Sequence, residues 1–401
     1  MEQKKISTIV SFALIIITIL TISVVSFYSF WDKNTISEEE NRTLAQKPEI
    51  SVENWLNGTF VNELNLFLND HVLMRKEIID KATDMESMLK KEQAIQVMTS
   101  NNERKDIGSD VLILEDKILA LYIKNQDYMD SIIEASNDLF DLMPEGVNKY
   151  MMLSPARIEF EDEEIKQYAD SQLESIYEIY AGLNKDVKTV DSYSLLQFAS
   201  QTVGIDKLYF KTDHHWTAYG ASFGANALLS AMGKSIILPE NYTEINAGDF
   251  LGYLAVMHSN DIGDLSPESF VYYDCAQEIY EYAYGVEGAD LSESKYQLLI
   301  DGERAGYYTF VERSYQYVVI EGGDKDGGNL LMINDSFGNA MVPWMASQYN
   351  KIVMIDPRLY EGGNEGFMQL IDDYEITDFV ISLAGLISGS SFGGEMAKLC
   401  Q

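Results

Sequence analysis

Three hydrophobic rhythms divide the chain. Residues 6–31 carry no charged side chain. Residues 51–93 place Trp55, Phe60, Leu64, Phe67 and Leu68 mostly three or four apart. From Asp110 onward, short apolar runs alternate with amphipathic stretches. A spacing of three to four is the period of a helix with one buried face, and apolar runs of four to eight suit buried strands. The second rhythm therefore predicts a helical segment, started by Ser51 and extended through Val72, Ile78 and Ile79. The third predicts paired strands over 110–123, a helix ended by Pro144 and Gly146, and a buried strand over 148–154 that breaks at Pro155. One amphipathic helix over 161–183 follows, ending at Gly182. A strand at 187–193, a helix at 194–201 and a small-residue helix stopping at Gly233 come next.

Residues 268–322 change character. Tyr- and Val-rich runs at 268–275, 296–301, 306–313 and 315–323 are separated by Gly turns and predict an antiparallel excursion. The pattern then returns to strand–turn–helix over 329–346, with further apolar strands at 351–360 and 378–387. Strands alternating with helices argue for an α/β fold on a parallel sheet. Three divisions are expected: a cytoplasmic tip and membrane anchor over 1–31, a stalk and helical segment over 32–100, and one α/β domain over 101–401 with its β-rich insertion at about 268–322.

The first rhythm sets the expected location. The uncharged run of 26 residues exceeds the about 20 that cross a bilayer, and Lys4 and Lys5 precede it while Asp32 and Glu38–Glu40 follow. Lysines favour the cytoplasmic side, so the chain is expected to be a single-pass plasma-membrane protein with its bulk outside. Ala13 is the only alanine of the run, so no small-x-small cleavage site ends it. Charge adds an exclusion: 29 Lys and Arg against 64 Asp and Glu give −35, a field that repels nucleic-acid backbones. Two cysteines, Cys275 and Cys400, make no disulfide framework.

Two short stretches carry candidate chemistry. In "LLMINDSFGNAM" an apolar run stops at Asn334 and Ser336 falls just past its end, before a helix. The carboxyl edge of a parallel sheet is where ligands bind, and helix amides favour negative charge. Asp335 or Ser336 as a plain helix cap is the alternative. In "KTDHHWTAYGAS", Asp213 and His215 stand two apart, so a turn lets the carboxylate orient the imidazole as a base. A metal is not expected, because adjacent His214 and His215 point apart in extended chain. Only His71 and His258 remain, and no CxxC or HExxH is present.

Together the motifs resemble the DHHW family, relatives of the alginate O-acetylation proteins AlgX and AlgJ in the SGNH-hydrolase-like superfamily. The resembling pieces are "ENRTLAQKP" (40–48), "FLNDHVLMRKEII" (67–79), "TDHHWTAYGA" (212–221), "DFLGYL" (249–254), "NDSFGNAMVPWM" (334–345) and "IDPRLY" (355–360). The resemblance implies an SGNH-hydrolase-like, flavodoxin-like sheet in which Ser336, His215 and Asp213 are catalytic, in an order permuted from ordinary members. Two positions depart from the pattern. Asn334 replaces the usual Gly before Asp-Ser, and "DFVISLAGLISG" lacks the Asn expected as an oxyanion donor. Asn339 or amides near Gly362 and Gly363 are the candidate substitutes. Asp335, Arg358, Trp216 and His214 are further candidate contacts. Trp216 reads as a brace or a sugar platform, and Arg358 as a substrate contact or an ion-pair member.

The implied function is extracellular O-acetyl transfer to a cell-surface polysaccharide or exopolysaccharide, through an acetyl-Ser336 intermediate and without a cofactor. A membrane-bound O-acyltransferase is the implied acetyl source. An esterase using the same three residues, and a non-catalytic glycan-binding scaffold, are the alternatives.

Overall fold

A computed structural model describes residues 110–401, apart from 260–264, 277, 287–293, 303–304 and 312–314, with scattered residues ahead of 110. The chain divides into two compact units, residues 1–93 and 94–401. In the first, Ile36–Ser37 pairs antiparallel with Arg42–Thr43. Asn54, Phe60, Leu64 and Phe67 are helical there, and Phe67 is buried. The apolar run at 6–31 and His71 lie outside the described residues. Among the described residues, no helix is long and apolar enough to cross a membrane.

The second unit opens with a small antiparallel sheet of β1 (Gln96–Met98), β2 (Val111–Ile113) and β3 (Ile118–Ala120). Helix α1 (Gln126–Asp141) follows, capped by the Asn125 side chain, and leads to strand β4 (Asn148–Ser154). Then come α2 (Glu163–Lys166), α3 (Gln172–Ala181), β5 (Lys188–Val190), α4 (Ser192–Val203), α5 (Ile205–Leu208) and α6 (Ala218–Ala231). A hairpin-like pair, β6 (Glu244–Phe250) and β7 (Glu268–Tyr273), encloses the short helix α7 (Tyr253–Met257). The last part holds β8 (Tyr280–Val286), β9 (Ser294–Leu298), β10 (Tyr315–Glu321), β11 (Asn329–Asn334), α8 (Ser336–Met345), β12 (Lys351–Ile355), α9 (Gly363–Asp373), β13 (Asp378–Ala384) and α10 (Phe392–Met396).

The architecture is mixed α/β. Eight strands form one sheet in the order β9-β8-β10-β12-β11-β13-β4-β5. The run from β12 to β5 is parallel throughout, and β10, β8 and β9 extend it antiparallel at one edge. Every residue of β13 is buried, as are the last five of β4 and β11, so helices cover both faces of the centre. Counted cyclically from β11, the parallel strands stand in the order 2-1-3-4-5, a doubly wound arrangement whose switch point lies between β11 and β13.

Three elements differ from the sequence pattern. The expected single helix over 161–183 is two, because the Ser171 side chain caps a new start at α3 and the amide of Asp170 bonds to Tyr122. The 306–313 run is not a strand. Tyr307–Thr309 forms a 3₁₀ turn entered through Gly306 at φ +155°, a conformation that favours glycine. The strand missed by the sequence pattern is β8, which lies between β9 and β10 and carries the fully buried Glu281. The 268–322 excursion is antiparallel as expected, and from β8 onward it is part of the main sheet.

One buried cation ties the 3₁₀ turn that follows β4 to α5 and the loop after it. Arg157 donates to Glu161 at 2.7 Å and to Asp206 at 2.5 Å, and also to the carbonyls of Tyr209 and Phe210. Replacing it leaves two carbonyls without their donor in a buried setting. Arg157→Met should therefore lower unfolding free energy by about 3 kcal/mol, read from the denaturant midpoint with the slope unchanged.

Candidate active site

Strand β11 ends at Asn334, whose side-chain amide donates to the Asp335 carbonyl at 2.7 Å and closes the turn before Ser336. Asp335 caps α8: one carboxylate oxygen accepts from the Phe337 amide at 3.0 Å, the other from the Ala384 amide at 2.7 Å. That second bond crosses from β11 to the end of β13, so it spans the switch point. Burial pushes the Asp335 carboxyl up to about 6. The two amides and Arg358 oppose the shift, and Asp356 adds to it. Ser336 is the first residue of α8, with its hydroxyl on the carboxyl edge of the sheet.

The partner loop is closed by a bridge between Tyr209 and Trp216, with the Phe210 amide bonded to the His215 carbonyl. Trp216 is fully buried and donates its indole N–H to the Phe337 carbonyl at 3.1 Å, pinning the loop to α8. It is a brace, out of reach of any sugar. Within the loop, Asp213 Oδ1 accepts from the His215 amide at 3.0 Å and lies 2.6 Å from His215 Nδ1. The other ring nitrogen, Nε2, lies 2.6 Å from Ser336 Oγ. The geometry brings Asp213, His215 and Ser336 into one hydrogen-bonded line.

The Asp213 carboxylate is 3% exposed. Burial alone would raise its pKa, but His215, His214 and the Tyr253 amide outweigh burial and hold it well below the usual carboxylate range. The Tyr253 amide, at the start of α7, donates to Oδ2 at 2.7 Å. Just before it, a Cβ on Gly252 would sit 2.4 Å from the Asp213 Cβ, so only glycine lets α7 approach. Glu268 of β7 braces the loop from below. It accepts from the amides of Lys211 and Thr212 and from the Thr212 hydroxyl, which itself accepts from the Gly252 amide.

The line opens into a cleft of about 800 Å³. Phe250, Tyr253, Tyr307 and Tyr308 wall one part of it; Arg358, Ile387, Phe392 and Glu395 wall another. His214 lines it too, with its ring 3.8 Å from that of His215 and its Nδ1 3.5 Å from Asp213. Arg358 makes a two-pronged pair with Asp356 at 2.8 and 2.6 Å, so the ion-pair role is met while its guanidinium still borders the cleft. Asn339 is not brought to the cleft, since its amide donates to the Val311 carbonyl at 3.3 Å. Gly362 and Gly363 do not line it either; Gly362 precedes α9 and packs beside Tyr360. The Ser336 N–H stands in the first turn of α8.

Asp213, His214 and His215 also offer three potential metal ligands within 4.8 Å of one another. However, His215 Nδ1 and Asp213 Oδ1 stand 2.6 Å apart. Two ligands about 2.1 Å from a tetrahedral ion are about 3.4 Å apart, so the observed separation is that of a hydrogen bond. Cys275 and Cys400 are free thiols, and burial pushes them up to about 12 and about 11.

Glu268, Gly252 and Tyr307 went unassigned in the sequence. The "DFLGYL" motif marked Gly252 and Tyr253 without giving them a task; nothing in the sequence marked Glu268 or Tyr307.

The family model of the DHHW proteins matches residues 90–355. Among solved structures the chain is similar to a DHHW family protein from Eubacterium siraeum, at 21% identity and a TM-score of 0.61, covering 74% of this chain and 97% of that one. It is also similar to PatB1 of Bacillus cereus, solved with a sulfonyl adduct, at 21% identity and a TM-score of 0.58, covering 74% and 98%. These likenesses are of fold. A search of curated proteins found no match.

The raised Asp335 carboxyl makes stability depend on pH. Between about 4 and about 6 the folded chain holds a proton at Asp335 that the unfolded chain has released, so stability falls as pH rises through that window. The unfolding free energy of wild type minus that of Asp335→Asn should fall from pH 4 to pH 6 and be level above it. A difference independent of pH would refute the assignment.

Proposed function

We propose, from the premise that the chain belongs to the DHHW family, that it is an O-acetyltransferase working through an acetyl-Ser336 intermediate. One observation carries the reading: Asp213, His215 and Ser336 are joined by two 2.6 Å contacts in the order acid, base, hydroxyl. A serine hydroxyl becomes a nucleophile when a neighbouring imidazole takes its proton, and a carboxylate on the far nitrogen fixes the tautomer and stabilises the cation formed. His215 Nε2 would accept the Ser336 proton as Oγ attacks the acetyl carbonyl. The departing donor alcohol takes that proton back. In the second half, His215 deprotonates an acceptor hydroxyl, which attacks the acetyl carbon; the acyl C–Oγ bond breaks and Ser336 Oγ takes the proton back from His215 Nε2. The amide of Ser336, at the positive end of α8, favours the oxyanion in both halves.

The cyclic strand order and the serine at the switch point support an SGNH-hydrolase-like assignment, permuted so that the histidine precedes the serine. The sequence resemblance points to a cell-surface polysaccharide as acceptor and to a membrane-bound O-acyltransferase as acetyl source. The uncharged run at 6–31, flanked by Lys4 and Lys5, supports an extracellular domain on a single anchor.

The test is turnover of 4-nitrophenyl acetate. Ser336→Ala should lose about 10³-fold or more of it with the unfolding midpoint unchanged, and wild type should carry one acetyl group on Ser336 by peptide mass spectrometry. His215→Ala should match that loss, whereas His214→Ala should retain more activity. Adding glycan acceptors separates transfer from hydrolysis: acetylated glycan marks a transferase, and free acetate alone marks an esterase. Full turnover in Ser336→Ala would sink the reading.

A further inference from the structure

Tyr307 belongs to the excursion that the sequence left without a role. It opens the 3₁₀ turn Tyr307–Thr309, which is held by the Asp301 amide on the Thr309 carbonyl at 2.8 Å and the Thr309 amide on the Gly306 carbonyl at 2.9 Å. Thr309 is fully buried, and Phe310 packs edge-on against the Tyr307 ring at 5.6 Å, so the turn is anchored on its inner side. The Tyr307 ring lies 3.8 Å from the His215 ring at an interplanar angle of 15°. It presents its π face to the imidazole, and the ring itself is buried.

We propose that Tyr307 is a positioning residue: its ring face fixes the His215 imidazole and stabilises the positive charge that appears there when His215 takes the Ser336 proton. The step breaks the Oγ–H bond and forms Nε2–H, and the oxygen pair goes to the acyl carbon. The ring thus turns from neutral to cationic while Tyr307 stays in place. An aromatic face within about 6 Å of a cation attracts it, more strongly where water is excluded. The stabilisation acts more on the transition state than on the resting site, so it lowers the barrier. The inference rests on the acetyl-transfer reading for its consequence in turnover, and on geometry alone for the interaction.

Other groups also act on the imidazole. Asp213 and His214 share its loop, Asp335 stands at the start of α8, and Asp249 lies at the end of β6; Arg358 and Glu395 line the same cleft. Substitution at 307 leaves all of these in place, so a comparison between variants isolates the ring.

The experiment is an NMR titration of the imidazoles in the full chain. The chain has four histidines, and the signal missing from His215→Gln identifies the one in question. Tyr307→Leu keeps bulk over the ring and removes the π face. Its His215 midpoint should fall by about 0.5–1 pH unit, while Tyr307→Phe stays with wild type. At a pH above both midpoints, kcat for 4-nitrophenyl acetate should drop about fivefold in Tyr307→Leu, with KM unchanged. A midpoint that stays or rises in Tyr307→Leu overturns the proposal. Should Tyr307→Leu fail to fold, pentafluorophenylalanine at 307 keeps the shape and reverses the ring's charge distribution, and a midpoint equal to that of Tyr307→Phe overturns it likewise. Should wild type show no Ser336-dependent turnover, the acetyl-transfer reading falls, and the titration still decides the fate of Tyr307.

Discussion

A charged carboxylate sits inside the protein at Asp213, and much of the surrounding chain is arranged to keep it charged. Removing such a group from water costs several kcal/mol unless donors replace the lost hydration. Here the donors come from two places: the His215 amide and ring on its own loop, and the Tyr253 amide on α7. Each demands something further. The α7 amide needs Gly252 for clearance, the loop needs Glu268 to satisfy its outward amides, and Trp216 fixes it to the helix that bears Ser336. Losing any one of these would leave a buried charge short of a partner.

The sheet brings these pieces together. The serine half arises where β11 meets α8, between strands that come later in the chain, and the histidine half arises in the loop between α5 and α6. The antiparallel strands β8 to β10 widen the sheet at the far edge, and the loop between β9 and β10 returns to the cleft with Tyr307 and Tyr308. The excursion therefore contributes part of the cleft wall as well as sheet.

Much of the parallel sheet was legible because buried strands are continuous apolar runs: Leu330–Ile333, Ile352–Ile355 and Phe379–Ile381 need no long-range information. Asp213, His215 and Ser336 were legible because their residue types and their positions at a turn and a strand end are local features. The supporting contacts were not. Glu268 meets Thr212 across 56 residues, and no period in the sequence records that pairing. The strand β8 was hidden by Glu281, an acidic side chain on a buried face. Asn339 was a reasonable candidate donor by type, but the pitch of α8 turns it toward Val311 and Asn334.

The strand order carries a kinetic consequence. In β4, Asn148 pairs with Asp378 of β13, and β11 is flanked on both sides by strands that follow it in the chain. The centre of the sheet therefore closes only once residues up to Ala384 are available. Contacts of such long sequence separation make folding slow, because the loop entropy is lost before the contacts reward it. The chain must spend its synthesis without a finished core, and Ser336 acquires its base only when nearly the whole polypeptide has come together.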